Sequence, residues 1–287
     1  MKKILIIGVK GMLGHVLFSY LSSRDGQFDV YGIARNIEKD KVFNLDVSNT
    51  EELKGIITEN NFDVVINAIG ILNKDAEDNP EKAVWFNSYF PHFLEKITKS
   101  SNTKIIHIST DCVFSGKDNG GYTEDSFKNG IGFYAQSKAL GEIVNQKDLT
   151  LRTSIIGPEL NPNGIGLLHW FLSQSKNDVV KGFSNVFWSG VTTLELAKVI
   201  EDVCTKDVSG LKIISREKIS KYNLLNLFNE IFKNGEISIV ESSEYVSDKS
   251  LVSIRTDYNY NVQTYQQMLL DLKVWMQDNS LSYNYSL

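Results

Sequence analysis

The chain has 287 residues, 42% of them apolar, which is enough to bury a full core as one large domain or a larger one with a smaller cap. A net charge of −5 with no long basic block argues against nucleic acid as a partner. Two cysteines, Cys112 and Cys204, lie far apart and offer no metal-ligand spacing, so no metal is expected and a reducing cytoplasm suits them. Met1-Lys2-Lys3 precedes an apolar stretch too short for a signal segment, and no apolar run approaches the roughly 18 residues that span a bilayer. A cytoplasmic chain with no membrane partner is therefore expected.

In chain order, Lys3–Ile7 is an apolar run of strand length that leads into Gly8-Val9-Lys10-Gly11-Met12-Leu13-Gly14, after which His15–Leu21 has helical spacing. Glycines in such a turn let the backbone approach a pyrophosphate and let the helix pack on the strand, while the helix amino end favours the anion. The strand before and the helix after supply the context that a lone glycine triplet lacks. Phe28–Ile33 reads as the second strand. The residues after it, which usually meet the adenosine ribose, are Ala34-Arg35-Asn36, with no carboxylate for a free 2′-hydroxyl. Arg35 can pair with a 2′-phosphate, favouring NADPH over NADH; the plainer reading is an exposed loop arginine. Phe43–Val47 follows, and Ser48 or Asn49 is placed to cap a helix from Thr50 to Glu59. Asp63–Ala68 is another buried strand, and a long helical pattern runs from about Pro80 to Ser100, with Asn87 a structural amide inside it.

Lys104–Asp111 is an apolar run ending in hydroxyls, expected to deliver Thr110 to the carboxyl edge of a parallel sheet, where ligands of open α/β folds bind. Tyr134 and Lys138, four residues apart at the start of a helix, share one face. A lysine ammonium within about 4–6 Å lowers the pKa of a tyrosine. Thr110 can then hold a carbonyl oxygen while Tyr134 protonates it and hydride arrives at carbon.

Gly8-x-x-Gly11-x-x-Gly14, Asn67-Ala68-Ile69-Gly70, Ser109-Thr110-Asp111 and Tyr134-x-x-x-Lys138 together resemble the extended short-chain dehydrogenase/reductase family. Ser109–Gly116 and Arg152-Thr153-Ser154 are similar, within it, to the dTDP-4-dehydrorhamnose reductases and their nucleotide-sugar 4-reductase relatives. The resemblance is dense from Met1 to about Pro158 and fainter beyond. It implies that Thr110, Tyr134 and Lys138 are catalytic and that Gly11, Met12 and Leu13 hold the cofactor phosphates. It also sets Asp46, with Val47, beside the adenine, and Ala68, Ile69 and Gly70 under the cofactor.

Two positions depart from the rhamnose enzymes. Cys112 stands where those reductases commonly have Tyr and where related dehydratases have an acid, so elimination of water is disfavoured. Ile155 stands where the reductases place Trp. The substrate pocket, expected to involve Thr110, Asp111, Cys112, Ile155 and Trp188, therefore differs from theirs. Trp188 and His169 are more readily read as packed residues.

The expected architecture is a Rossmann-type doubly wound parallel α/β sheet over residues 1–158. A smaller α/β substrate-binding region over 159–287 follows, with room for one segment to return to the sheet. Helices are expected at Leu167–Leu172, Thr192–Ile200 and Thr264–Asp278, the last ending in a polar, frayed tail. The expected reaction is NAD(P)H-dependent reduction of the C4 ketone of a nucleotide-linked 6-deoxyhexose for a surface polysaccharide. UDP-2-acetamido-2,6-dideoxy-4-ketohexose is preferred to dTDP-4-dehydrorhamnose. A nucleotide-sugar epimerase of the same family stays open, as does a non-catalytic regulator resembling the methionine adenosyltransferase β subunit. A surface helix pair is compatible with a homodimer.

Overall fold

The computed structural model describes residues 1–283 and 285. Two compact units interleave along the chain. The first comprises Met1–Val113, Ile131–Arg152 and Ala197–Lys212; the second comprises Phe114–Gly130, Thr153–Leu196 and Ile213 onwards.

The first unit is built on β1 (Lys2–Ile7), α1 (Met12–Ser22), β2 (Phe28–Ala34), β3 (Val42–Asn44), α2 (Thr50–Glu59) and β4 (Val64–Asn67). It continues through α3 (Asn73–Asp78), α4 (Pro80–Ala83), α5 (Phe90–Thr98), β5 (Lys104–Thr110), α6 (Phe133–Leu140) and β6 (Leu149–Thr153). The sheet runs in the order Gly210–Ile213, β6, β5, β4, β1, β2, β3. The β5–β4, β4–β1, β1–β2 and β2–β3 pairs are all parallel. The order reverses between β1 and β4, the switch point at which doubly wound folds open a crevice beyond the carboxyl ends of their strands. Ile4, Leu5, Ile6 and Ile7 are fully buried, because a central parallel strand has helices on both faces and no polar side to show. Leu5, Ile7, Val65 and Ile105 form a core with Leu53, Ile57, Phe90 and Leu94 from the helices.

The helical pattern from Pro80 to Ser100 is not one regular α-helix. Residues Val84–Tyr89 form a π-helical turn between α4 and α5. Pro91 has no N–H to give the carbonyl of Asn87 four residues earlier, so the regular ladder is broken at that point. The displaced carbonyl lies against α6: a Cβ on Gly141 would stand 1.8 Å from Asn87 O.

In the second unit, Val179–Phe183 pairs in parallel with Ser238–Ser242, and Val186–Trp188 is flanked by Ile219–Ser220 and Ser247–Asp248. The helix Thr193–Thr205 begins in this unit and continues in the first from Ala197, and helices also cover Leu167–Leu172, Lys221–Lys233 and Tyr265–Asp278. Ser220 Oγ accepts from Asn223 N–H at 3.1 Å and Thr264 Oγ1 from Gln267 N–H at 3.2 Å, capping the last two. A short 3₁₀ turn, Ser280–Ser282, follows; the end of the expected polar tail, at residues 284, 286 and 287, lies outside the described residues. Among the described residues no helix is long and apolar enough to cross a membrane, and no group of three or more His, Cys, Asp or Glu could hold a metal.

Candidate active site

The glycine turn joins β1 to α1. Gly8 has φ +97°, where a side chain would be strained. A Cβ on Gly14 would stand 2.1 Å from Gly8 O, so α1 can lie this close to the turn only with glycine there. Gly11 is the N-cap of α1, no side chain caps it, and the first turn carries no acidic residue. The amino end of an eleven-residue helix is thereby presented to an anion, as a dinucleotide pyrophosphate requires. Leu13 is 4% exposed, so it can meet a phosphate only through its N–H; its side chain belongs to the core. Gly8 and Gly11 also face the loop after β4: their Cβ atoms would stand 2.8 Å from Ile69 Cγ1 and 3.9 Å from Ala68 O. These residues fit a bound dinucleotide.

Arg35 is not a bare loop arginine. Its guanidinium lies 3.2 Å from Asp46 Oδ2, with both side chains largely exposed. The N–H and hydroxyl of Ser48, and then Arg35, hold the Asp46 carboxyl below its ordinary range. Asn49 caps α2 by accepting from Glu52 N–H. Val47 is buried in the core, which leaves only its backbone for a ligand.

At the end of β5, Thr110 Oγ1 accepts from Cys112 N–H and donates to Asp111 Oδ1, both at 3.1 Å. The Tyr134 hydroxyl lies beside Thr110. Burial, with Cys112 and Asp111 close by, raises the Tyr134 pKa above its ordinary value, so the phenol keeps its proton. Lys138 corrects the expectation that an ammonium beside Tyr134 lowers its pKa. Its Nζ donates to Ile108 O at 2.7 Å and lies 3.5 Å from His107 Nε2. A buried amine needs acceptors, and the carbonyl at the end of β5 supplies one. Burial lowers the Lys138 pKa to about 8, against a rise from Glu142.

Three residues shape this site without having been singled out for it. Glu77, from α3, accepts from the N–H groups of Phe133 and Tyr134 at 3.0 and 3.1 Å and so caps α6 from 56 residues away. Asn87 grips Ile71 through its N–H at 2.8 Å and its carbonyl at 2.9 Å, and donates to Ser137 Oγ at 3.1 Å. It thereby ties the loop after β4 to α6. His107 is fully buried on β5, and burial first, then Lys138 and His92, lower its pKa well below 6.5. No local pattern marks the first; the second sits four residues before Pro91 in a helical pattern; the third is a polar residue within an apolar strand.

A neutral buried histidine makes a prediction. Below pH 6.5 the unfolded chain binds a proton at His107 that the native state refuses, so stability falls as pH falls. The His107 contribution should amount to about 1 kcal/mol between pH 6.5 and about 5.5. His15, also lowered, adds to the total, so urea unfolding of wild type and His107→Phe at both pH values isolates the His107 part as the dependence the variant loses.

The remaining substrate candidates belong to the second unit. Ile155 is half-buried and pairs with Val191. Trp188 is 3% exposed, donates from Nε1 to Ser154 Oγ at 2.8 Å and lies against Tyr265, the surroundings of a packed core residue. His169 Nδ1 is 2.6 Å from Tyr285 OH.

The family model described as the RmlD substrate binding domain matches residues 1–209. A Haloferax volcanii protein named "probable low-salt glycan biosynthesis reductase Agl14" is 26% identical over 250 residues, 83% of this chain and 82% of its own. The dTDP-4-dehydrorhamnose reductase of Aggregatibacter actinomycetemcomitans is 27% identical over 73% of this chain and 70% of its own. The crystal structure of dTDP-4-dehydrorhamnose reductase from Bacillus anthracis in complex with NADP superposes with a TM-score of 0.79 at 18% identity, covering 96% of this chain and 99% of that one.

Proposed function

We infer the activity from one premise: the chain belongs to the RmlD substrate binding domain family. It is an NAD(P)H-dependent oxidoreductase that reduces the C4 ketone of a nucleotide-linked 6-deoxyhexose in glycan biosynthesis. The observation that carries this reading is the Tyr134 phenol set beside Thr110 at the end of β5. Relatives named as glycan biosynthesis reductase and dTDP-4-dehydrorhamnose reductase support it.

In this reading Gly8, Gly11, Met12, Leu13 and Gly14 hold the pyrophosphate, and Ala68, Ile69 and Gly70 lie along the cofactor. The nicotinamide supplies the hydride when bound. Thr110 turns its hydroxyl from Asp111 to the sugar carbonyl oxygen, and Tyr134 delivers its proton to that oxygen as negative charge develops there. Lys138, on the same helix, sets the local charge. Cys112 provides no carboxylic acid, which favours reduction over elimination. Cys112 and Ile155 in place of aromatics favour a UDP-linked 2-acetamido-2,6-dideoxy-4-ketohexose over dTDP-4-dehydrorhamnose.

NADPH is the preferred cofactor, with Arg35 exchanging Asp46 for the 2′-phosphate. Hydrogen bonds to charged groups contribute about 1.5–3 kcal/mol. Arg35→Ala should therefore raise the KM for NADPH by about tenfold or more and leave that for NADH within about twofold; equal effects on both would remove Arg35 from the ribose site.

The reductase reading is tested by following NADPH and NADH oxidation with freshly generated UDP- and dTDP-linked 4-keto-6-deoxy sugars. Turnover with one of them fixes base and sugar together. A protein that neither binds cofactor nor turns over any of these sugars is not this reductase.

A further inference from the structure

Asn67 and His107 face each other across β4 and β5, where they are register partners, and both are fully buried. Ile69 donates its backbone N–H to Asn67 Oδ1 at 3.2 Å. An amide N–H can only donate, so this bond fixes which end of the Asn67 side chain turns to the ring. Nδ2 lies 3.2 Å from His107 Nδ1 and carries only hydrogens, so Nδ1 must accept. The ring proton is then on Nε2, which points at Lys138 Nζ across a long contact of 3.5 Å. A neutral amine can meet that N–H with its lone pair while donating to Ile108 O. An ammonium has no lone pair, and sets N–H against N–H.

We propose that Asn67 and His107 form a tautomer link that makes the charged state of Lys138 and the Ile69–Asn67 hydrogen bond alternative states of the first unit. When Lys138 takes a proton from solvent, the ring accepts the new ammonium only if its own proton sits on Nδ1. Nδ1–H then needs an acceptor, and Asn67 must turn Oδ1 to it and release the Ile69 N–H. The ring carries one proton throughout, on Nε2 in one state and on Nδ1 in the other; the added proton stays on Nζ. His107 is therefore a positioning residue that acts through Lys138. Its effect on catalysis rests on the reductase reading, in which Ala68–Gly70 meets the cofactor: a ligand that holds Ile69 in place favours the neutral amine, and one that draws its N–H away favours the ammonium. The other charged or titratable groups acting on this pair are Glu142, one turn beyond Lys138, and His92 from α5. Glu142 opposes the link by favouring the ammonium.

The test uses the full chain without cofactor, labelled with ¹⁵N at histidine, and follows long-range ¹H–¹⁵N correlations of the His107 ring from about pH 6 to about pH 10. The link predicts Nε2–H at high pH, a change to Nδ1–H on acidification with its midpoint near the Lys138 value of about 8, and a lower protection factor for the Ile69 amide, taken against its intrinsic exchange rate, in the same step. In Lys138→Met the ring should remain Nε2–H at every pH, and in Asn67→Leu the Ile69 amide should keep one protection factor, taken against the intrinsic exchange rate at each pH, on both sides of the midpoint. A ring that keeps one tautomer through the Lys138 titration in the wild-type protein overturns the proposal, as does an Ile69 amide that exchanges independently of it. These spectra need no turnover, so a failed reductase assay removes the catalytic reading and leaves this result standing.

Discussion

Tyr134→Phe is expected to lower kcat by about 10²–10⁴-fold while the Kd for NADPH changes by less than about threefold. The substitution keeps the ring and removes only the hydroxyl. That hydroxyl lies beside Thr110, and burial holds its pKa above the ordinary tyrosine value, so at neutral pH the phenol carries the proton that a reduction must deliver. With Phe the alkoxide that forms at C4 takes a proton only from water. Stopped-flow reduction with saturating cofactor separates the step from binding. Thr110→Val should cost less, about 10²–10³-fold, because it removes one hydrogen bond to the developing charge and leaves the proton donor in place. A Tyr134→Phe enzyme within about tenfold of wild type would assign the proton to another group.

Arg152→Ala is expected to destabilise the protein by about 3–5 kcal/mol. Arg152 and Glu142 are each 1% exposed and joined by two hydrogen bonds of 2.8 Å, Nε to Oε1 and Nη2 to Oε2. Ser109 Oγ donates to the same Oε1 at 2.7 Å. The network pins β5 one residue before Thr110, the stretch just beyond α6, and β6. Removing Arg152 leaves the buried Glu142 carboxylate without its guanidinium, and the fold must either hydrate the carboxylate or protonate it. Urea unfolding should show a lower midpoint at unchanged slope. Arg152→Met paired with Glu142→Gln should recover more than half of the loss, since what costs most is the orphaned charge. A single variant within about 1 kcal/mol of wild type would show that water reaches Glu142.

Much of the first unit is legible in the sequence because short-range rules decide it. A fully apolar strand, a glycine turn and a helix in that order leave one arrangement, and β1, the turn and α1 take it. The same rules place Thr110 at a strand end and Tyr134 in the first turn of α6. What escapes them is set by contacts distant in sequence. Periodicity cannot distinguish a regular helix from one with a π turn, although Pro91 was the clue to where the break at Asn87 falls. Glu77 caps a helix beginning at Phe133, a pairing no local pattern contains. The Tyr134 to Lys138 spacing places both on one face of α6, yet the direction of the Lys138 amine is decided by His107 and the Ile108 carbonyl on another element. Val47 and Trp188 show the converse: position in a motif suggested contact with a ligand, while packing buries both side chains.

The most direct test of the central claim is hydride transfer itself. Reduction of a UDP- or dTDP-linked 4-keto-6-deoxy sugar with NADPH carrying deuterium at the transferable C4 position should consume one cofactor per product and leave one deuterium at C4 of the sugar, read by mass spectrometry and proton NMR. Sugar that comes back isomerised, with the cofactor unconsumed and no deuterium at C4, would contradict the account and assign the chain to epimerisation.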